Sequence, residues 1–175
     1  MVDKKTWVYN LALSKISKVA QSKCEWLILE RLGLSEIPNS VFELTWVEEL
    51  IVIDNLIEIL PPEIQELKKL KHLDIFYNQV ISLPAEIGNL THLKHLNAAC
   101  NQLKTIPAEI GQLTDLTHLD LRDNQITTLP VEFKNLTNLT YLDLRGNPLP
   151  VDKTTLDQVQ KPLEILETLY QQLAV

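Results

Sequence analysis

The segment Leu113–Asn135 reads LTDLTHLDLRDNQITTLPVEFKN, and its pattern recurs along most of the chain. Moving back by 23 residues at a time reaches LTHLKHLNAACNQLKTIPAEIGQ and then LKKLKHLDIFYNQVISLPAEIGN. The other copies, complete or degenerate, are Cys24–Glu43, Leu44–Glu66, Leu67–Asn89, Leu90–Gln112 and Leu136–Leu149. A fixed period in the twenties predicts a solenoid of about six turns, in which each copy packs against its neighbours.

Each copy contains a short stretch in which apolar and polar residues alternate. In the segment above, Leu119 and Leu121 alternate with Asp120 and Arg122. This period of two predicts a strand with one face toward a core and the other toward solvent. One such strand cannot bury its apolar side alone, so we expect successive copies to form a parallel sheet with a spacing of ~4.8 Å.

An asparagine and a proline mark fixed places in the repeat. We expect the asparagines to lie where the chain turns inward, because backbone groups there need a hydrogen-bond partner. They are Asn55, Asn78, Asn101, Asn124 and Asn147. We expect the prolines to begin the segment that returns to the next strand, because they fix φ and lack an N–H group. They are Pro38, Pro61, Pro84, Pro107 and Pro130. The side chains expected to point inward from these return segments are Ile64, Ile87, Ile110 and Phe133.

The two ends depart from the repeat and predict helices that cover the open ends of the core. Residues 6–20 have apolar side chains at helical spacing, and this helix also carries lysines, so binding to a membrane or to a partner is an alternative role. After residue 150, Lys153–Gln160 predicts a short helix, and Pro162 suits the first turn of another. The apolar face expected there consists of Leu163, Leu166, Leu169, Tyr170 and Leu173. We expect one continuous domain made of a capping helix (1–23), repeats (24–149) and a helical cap (150–175).

The motifs LP-x-E-I-G-x-L and L-x-L-R-x-N-x-L resemble those of leucine-rich repeats in bacterial and plant intracellular proteins. These include the plant intracellular Ras-group-related type and the repeats that precede the GTPase module of Roco proteins. The resemblance implies an α/β, right-handed leucine-rich-repeat solenoid with a concave parallel sheet and helical caps. It also implies a non-enzymatic protein that binds partners. The chain has no GxxxxGK[ST] phosphate-binding loop, so GTPase activity is not expected of it.

Composition narrows the possible functions. The 175 residues carry a formal charge of −7, which argues against a general nucleic-acid-binding protein. Cys24 and Cys100 lie three repeats apart, so a disulfide between them is not expected. We find no secretory signal pattern and no apolar run long enough to span a membrane. The expected protein is a cytoplasmic monomer without a cofactor.

Aligning the repeats predicts which side chains share the concave face. In the motif L-x-x-L-x-L-x-x-N, places three, five, seven and eight face the concave side or its rim. The N-terminal half of this face is apolar and the C-terminal half is polar, which is typical of an interaction site. The predicted partner-binding residues are Trp26, Ile28, Ile51, Ile53, Phe76, Tyr77, His72, His95, His118, Asp120, Arg122 and Tyr141. In the alternative interpretation, Ile28 and Ile51 pack beneath the N-terminal helix or against another copy of the chain.

Three histidines fall at the same repeat place and leave other chemistry open. His72, His95 and His118 with nearby carboxylates could bind a metal, respond to pH or form a plain solvated row. A row along one sheet does not provide a tetrahedral ligand set, so we expect no metal site. A nucleophilic pair of Cys100 with His95 is a further alternative, although no third group orients it and the face is expected to be open.

The function predicted from the sequence is binding of a protein partner through the concave face. Two alternatives remain open: a regulatory module for a small GTPase or a Roco-type signalling protein, and a bacterial effector that binds a host protein.

Overall fold

The computed structural model describes residues 4–173, and its centre is a six-stranded parallel sheet with the strands in sequence order. The strands are β1 (Trp26–Ile28), β2 (Glu49–Ile51), β3 (His72–Asp74), β4 (His95–Asn97), β5 (His118–Asp120) and β6 (Tyr141–Asp143). Neighbouring strands pair residues 23 positions apart, as Leu73 pairs with Leu96. The period read from the sequence is therefore the register of the sheet.

Short 3₁₀ helices form the opposite, convex side of the solenoid. They span Asn39–Val41, Pro62–Glu66, Ala85–Asn89, Ala108–Gln112 and Val131–Asn135, and each follows a proline. The four side chains expected to point inward here are fully buried, as predicted. Between two of these helices the packing is tight, because a Cβ atom on Gly111 would lie 2.5 Å from the backbone oxygen of Glu132. Glycine at this position lets the backbones of two neighbouring 3₁₀ helices approach each other.

Helices cover both ends of the core. The helix α1 (Lys4–Ser22) contacts β1 and buries Val8, Ala12 and Ile16. At the other end, α2 (Lys153–Leu156) and α3 (Pro162–Leu173) follow the last strand. The backbone N–H of Leu142 in β6 donates to the carbonyl of Val159 at 2.8 Å, so this segment also closes the outer edge of the sheet.

The C-terminal helix docks through a face that differs in part from the predicted one. Leu163 was expected to be buried, but it is 55% exposed, whereas Ile165 is fully buried beside Leu166 and Leu169. The hydroxyl of Tyr170 donates to the carbonyl of Pro130 at 2.6 Å. This bond and the packing of Ile165 set the rotation of α3, which spacing alone left open; the side chain of Leu173 lies outside the described residues.

The asparagine ladder joins each repeat to the preceding one. Asn101 accepts a hydrogen bond from the N–H of Val80 at 2.9 Å and donates to the carbonyls of Ile75, Ala98 and Ala99 at 3.0–3.2 Å. Four of the five ladder residues are buried. In the first repeat, Leu32 stands in place of the asparagine and packs against the core.

We expect Asn101→Ala to lower the free energy of unfolding by ~1–3 kcal/mol, because it leaves several buried backbone groups without a partner. Asn138→Ala is the matched control, since Asn138 is exposed and its side chain donates one hydrogen bond, to the carbonyl of Thr114 at 2.8 Å. Urea unfolding of both variants measures the difference. Equal small losses would show that the ladder does not hold the repeats together as described.

Candidate functional site

The concave face is built by the outward places of the six strands. The residues at place four, such as Leu73 and Leu96, are at most 1% exposed, while both of their neighbours in the strand point away from the core. Place three forms a continuous row across the sheet, consisting of Trp26, Glu49, His72, His95, His118 and Tyr141. The structure thus brings the predicted site residues onto one surface.

The N-terminal half of this surface carries exposed apolar side chains. Trp26 is 55%, Ile28 38% and Tyr77 59% exposed, and three further side chains are half-buried. Helix α1 contacts β1 from the core side and leaves Trp26 and Ile28 accessible. We call this surface the apolar patch; it comprises Trp26, Ile28, Ile51, Ile53, Phe76 and Tyr77.

Phe76 lies at the border between the apolar patch and the polar half. Its ring centroid is 5.9 Å from that of Tyr77, and the guanidinium carbon of Arg122 lies 5.9 Å from the ring centroid of Phe76. The intervening residue at place seven is Ala99, whose small side chain is fully buried. Because Ala99 does not stand between them, Arg122 and Phe76 interact across two repeats by a cation–π contact.

Four rings stack along the middle of the face, and we call them the ring column. Ring centroids are 5.5 Å apart for His72 and His95, 4.5 Å for His95 and His118, and 5.9 Å for His118 and Tyr141. Together with Asp74, Asn97 and Asp120 they line a shallow depression of about 260 Å³. An open face was expected from the sequence, and the structure shows this shallow depression on it.

The pKa of His95 lies below its ordinary value. Burial is the largest cause, followed by repulsion from His118, His72 and Lys94, while Glu49 acts in the opposite direction. A lowered pKa means that the imidazole of His95 stays neutral as the pH falls into the range where a free imidazole gains a proton. At neutral pH the imidazole of His95, at the centre of the ring column, is therefore uncharged.

We expect acidification from about pH 7.5 to about pH 5.5 to destabilise the protein, and His95→Gln to reduce that loss. The unfolded chain binds a proton at His95 more readily than the folded protein does, because the folded pKa is lowered. The contribution of His95 to the free energy of unfolding is therefore fully present above the ordinary imidazole pKa, and it is lost as the pH falls through the pKa of the folded protein. Urea unfolding at both pH values gives the difference, and an equal loss in parent and variant would contradict the assignment.

The acidic and amide side chains at place five accept hydrogen bonds from the backbone that follows the strand. Asp74 accepts a hydrogen bond from the backbone N–H of Phe76 at 2.9 Å, and Asp120 accepts one from Arg122 at 3.1 Å. Asn97 does the same for Ala99 at 3.2 Å. These bonds satisfy the N–H group that follows each strand. Burial raises the pKa of Asp120, whose remaining oxygen lies 3.7 Å from the guanidinium of Arg122.

Asp143 differs from the exposed position that the aligned columns predicted. It is completely buried, and the guanidinium of Arg145 donates to both of its oxygens, at 2.9 and 2.6 Å. Burial alone would raise the pKa of Asp143, but the side-chain and backbone hydrogen bonds from Arg145 hold it below the ordinary value. This pair anchors the last strand, and the pKa of Arg145 is raised in return.

The geometry does not favour the nucleophilic or metal-binding alternatives. Burial and the nearby carboxylate of Asp123 raise the pKa of the Cys100 thiol, which disfavours the reactive thiolate. The thiol of Cys100 contacts the carboxylate of Asp123 at 3.8 Å and not the imidazole of His95. Within residues 4–173, no three His, Cys, Asp or Glu side chains are placed to hold a metal ion.

Place eight adopts a backbone conformation that the sequence did not reveal. Arg31, Asp54, Tyr77, Cys100 and Asp123 all have φ values of 53–55°, in the left-handed region. Such values are uncommon for residues with a side chain, yet they recur in every repeat up to Gly146, at 72°. The turn into the asparagine ladder therefore imposes this conformation whatever the side chain. Gly146 was the one local signal for it in the sequence.

Some residues that shape the site were absent from the predicted set. Glu49, Asp74 and Asn97 line the face beside the ring column, and Asp74 and Asn97 also line the depression. The aligned columns place all three on the concave face, although they are not among the predicted partner-binding residues.

Two family models match the repeat region. A model described as "Leucine rich repeat" matches residues 91–149, and one described as "Leucine Rich repeats (2 copies)" matches residues 68–111. None of the curated protein sequences matches the chain significantly. In the described part of the chain, residues 4–173, every helix is too short or too polar to cross a membrane.

Several solved structures share the fold. A leucine-rich-repeat protein of Leptospira interrogans is 30% identical, with a TM-score of 0.65, over 87% of this chain and 43% of that one. An internalin (inlF) of Listeria monocytogenes is 30% identical, with a TM-score of 0.61, over 77% and 36% of the two chains. The plant peptide hormone receptor RGFR1, solved in complex with RGF2, is 35% identical, with a TM-score of 0.60, over 65% and 19%.

The chain spans less than half the length of each of these three proteins. The likeness nevertheless covers most of the repeats and agrees with the six parallel strands and the helical ends. The resemblance to the Ras-group-related and Roco-associated types finds no match of its own among these proteins. The sequence period, the sheet and the comparisons agree that this protein is a leucine-rich-repeat solenoid.

Proposed function

We propose that this protein is a non-enzymatic scaffold that binds a protein partner through the concave face of its sheet. The observation that carries the proposal is the apolar patch, in which Trp26, Ile28 and Tyr77 are exposed together. Grouped exposed apolar side chains with a polar surround are typical of interaction surfaces. Leucine-rich-repeat proteins in general mediate protein–protein interactions, and the receptor RGFR1 was solved with RGF2 bound.

The aromatic residues give the proposed surface its anchors. Trp26, Phe76 and Tyr77 offer large apolar areas with few rotatable bonds, which is why such residues dominate interface energetics. The neighbouring polar groups already form hydrogen bonds within the protein. For example, the carboxylate of Asp74 accepts from the backbone N–H of Phe76 and from the side-chain amide of Asn97. The partner therefore meets a preorganised surface, which lowers the cost of association.

Two further parts of the proposal concern the state and location of the protein. Cys24 and Cys100 are free thiols, which fits a reducing compartment such as the cytoplasm, and we propose that the protein is monomeric there. Regulation of a small GTPase or a Roco-type protein, or binding of a host protein by a bacterial effector, would use the same concave face. The repeat resemblance alone favours these narrower roles.

The test compares two exposed apolar residues on opposite sides of the solenoid. Tyr77→Asp alters the apolar patch, and Val131→Asp alters the convex side; the two side chains are 59% and 57% exposed. Proteins captured from the source cells by the parent are identified by mass spectrometry and then measured with each variant. We expect Tyr77→Asp to lose the captured partner and Val131→Asp to retain it. Retention by both, or loss with Val131→Asp alone, would refute binding by the concave face.

A further inference from the structure

The concave face carries more negative charge than its own arginines neutralise. Each arginine on the face has a carboxylate partner: Arg31 pairs with Asp54 at 3.3 Å, and Arg122 lies 3.7 Å from Asp120. The third, Arg145, pairs with the buried Asp143. Among the described residues, four concave-face carboxylates have no cationic side chain within ion-pair distance: Glu30, Glu49, Asp74 and Asp123.

Two of these carboxylates, Glu49 and Asp74, lie beside both the apolar patch and the ring column. Glu49 stands between Trp26 and His72 in the row at place three. Asp74 follows Ile51 in the row at place five and opens onto the depression of about 260 Å³. The surface thus places aromatic faces and uncompensated carboxylates side by side, which is the combination that attracts a cation held on an apolar segment.

We infer that the partner contacts this face with a basic segment that also carries apolar side chains, its cations lying over the ring column and its apolar groups on the apolar patch. The inference rests on the proposed function and specifies the chemistry of the partner. Six strands at ~4.8 Å spacing extend over roughly 24 Å, which an extended segment of about seven residues or a helix of about sixteen would cross. Arginine suits the site best, because its planar guanidinium stacks on rings and pairs with carboxylates.

Protonation of His95, at the centre of the ring column, would oppose such a partner. His95 faces His72 and His118 on either side, Lys94 lies at the start of its strand, and Glu49 acts from two strands away. His118 also stacks on Tyr141 and contacts the hydroxyl of Thr117 at 2.9 Å. Asp74 and Asp120 open onto the same depression. A positive charge on His95 would offset the free carboxylates and repel a basic segment, so the complex should weaken once the pH falls below the lowered pKa of His95.

The test uses a displayed library of random peptides long enough to cross the sheet, selected on the full protein at about pH 7.5. Selected peptides are sequenced, and their affinities are measured by fluorescence anisotropy for the parent and for Phe76→Asp. The charge variant combines Glu49→Gln with Asp74→Asn, which keeps an oxygen for the N–H of Phe76. The matched control combines Glu63→Gln with Glu66→Gln on the convex side, so that the net charge changes equally.

We expect the selected peptides to be enriched in Arg, Lys and apolar residues and to need Phe76. The concave charge variant should bind them about tenfold more weakly, the convex control should bind them like the parent, and added salt should weaken binding.

The outcomes separate the two proposals. Peptides that need Phe76 but show no excess of Arg and Lys would overturn the basic partner and leave the proposed function standing. Peptides that bind Phe76→Asp as well as the parent would overturn the concave-face function itself. Equal effects of the two charge variants would overturn the role of Glu49 and Asp74.

Discussion

Phe76→Asp is expected to remove partner binding from a protein that stays folded, and Leu73→Ala is expected to do the reverse. Phe76 is a half-buried aromatic residue beside the exposed Tyr77, so its loss should weaken the complex by ~2 kcal/mol or more, roughly thirty-fold. Its stability cost should stay within about 1 kcal/mol, because Phe76 is half-buried and Arg122, beside its ring, would gain a further carboxylate next to Asp120. Leu73 is fully buried, and a cavity there should cost ~2–5 kcal/mol of stability.

Urea unfolding and the affinity for a captured partner, measured on each variant, separate these effects. Ile81→Asp is the control, because Ile81 is 52% exposed and lies outside the four concave columns. Arg145→Ala is unsuitable as a control at the polar end, since it would leave the buried carboxylate of Asp143 without its partner. If Phe76→Asp unfolds as readily as Leu73→Ala, Phe76 belongs to the core. If it folds and binds as before, the interface lies elsewhere.

Removal of residues 1–22 is expected to cause aggregation or loss of cooperative unfolding. Helix α1 covers the first turn of the core with Val8, Ala12 and Ile16, and without it the apolar side of β1 and its neighbours would meet water. Light scattering after size-exclusion chromatography and thermal unfolding measure the two consequences. A truncated protein that remains monomeric with an unchanged melting temperature would show that α1 does not protect the core.

Two point variants test the same role without deletion. Ala12 is fully buried and Leu13, the next residue on the helix, is 36% exposed. Ala12→Asp should destabilise the protein by about 3 kcal/mol or more, because an unpaired carboxylate would face the core. Leu13→Asp introduces the same charge at the helix surface and should have a small effect. Similar melting temperatures for the two would contradict the docking of α1.

The repeat itself was readable from the sequence because each copy places the same residue types in the same local environment. Leu73 and its equivalents are buried, and Asn101 with its equivalents bridges consecutive turns, as the 23-residue register predicted. The concave face was predicted equally well as a surface, since alternation within a strand depends only on the pleat. Whether that surface binds a partner stays a proposal.

Departures from the expectation occur where residues distant in sequence decide the environment. Asp143 occupies the same place as Asp120, yet it is buried by its bidentate pair with Arg145 in a strand whose outer edge is closed by the C-terminal segment. Leu163 and Ile165 both suit an apolar face, but in the docked helix α3 Ile165 is buried and Leu163 is exposed. Tyr77 adopts a left-handed φ because the stacked repeats require that turn, against its own preference.

The ring column depends on both the sequence and the tertiary structure. The sequence alone determined that His72, His95 and His118 share one row, because the period of the repeat equals the register of the sheet. Only the tertiary structure decided that the rings tilt and stack 4.5–5.5 Å apart and line a depression with Asp74 and Asp120. Side-chain rotamers and the burial that lowers the pKa of His95 depend on neighbours in adjacent turns, and a repeat pattern carries no information about those contacts.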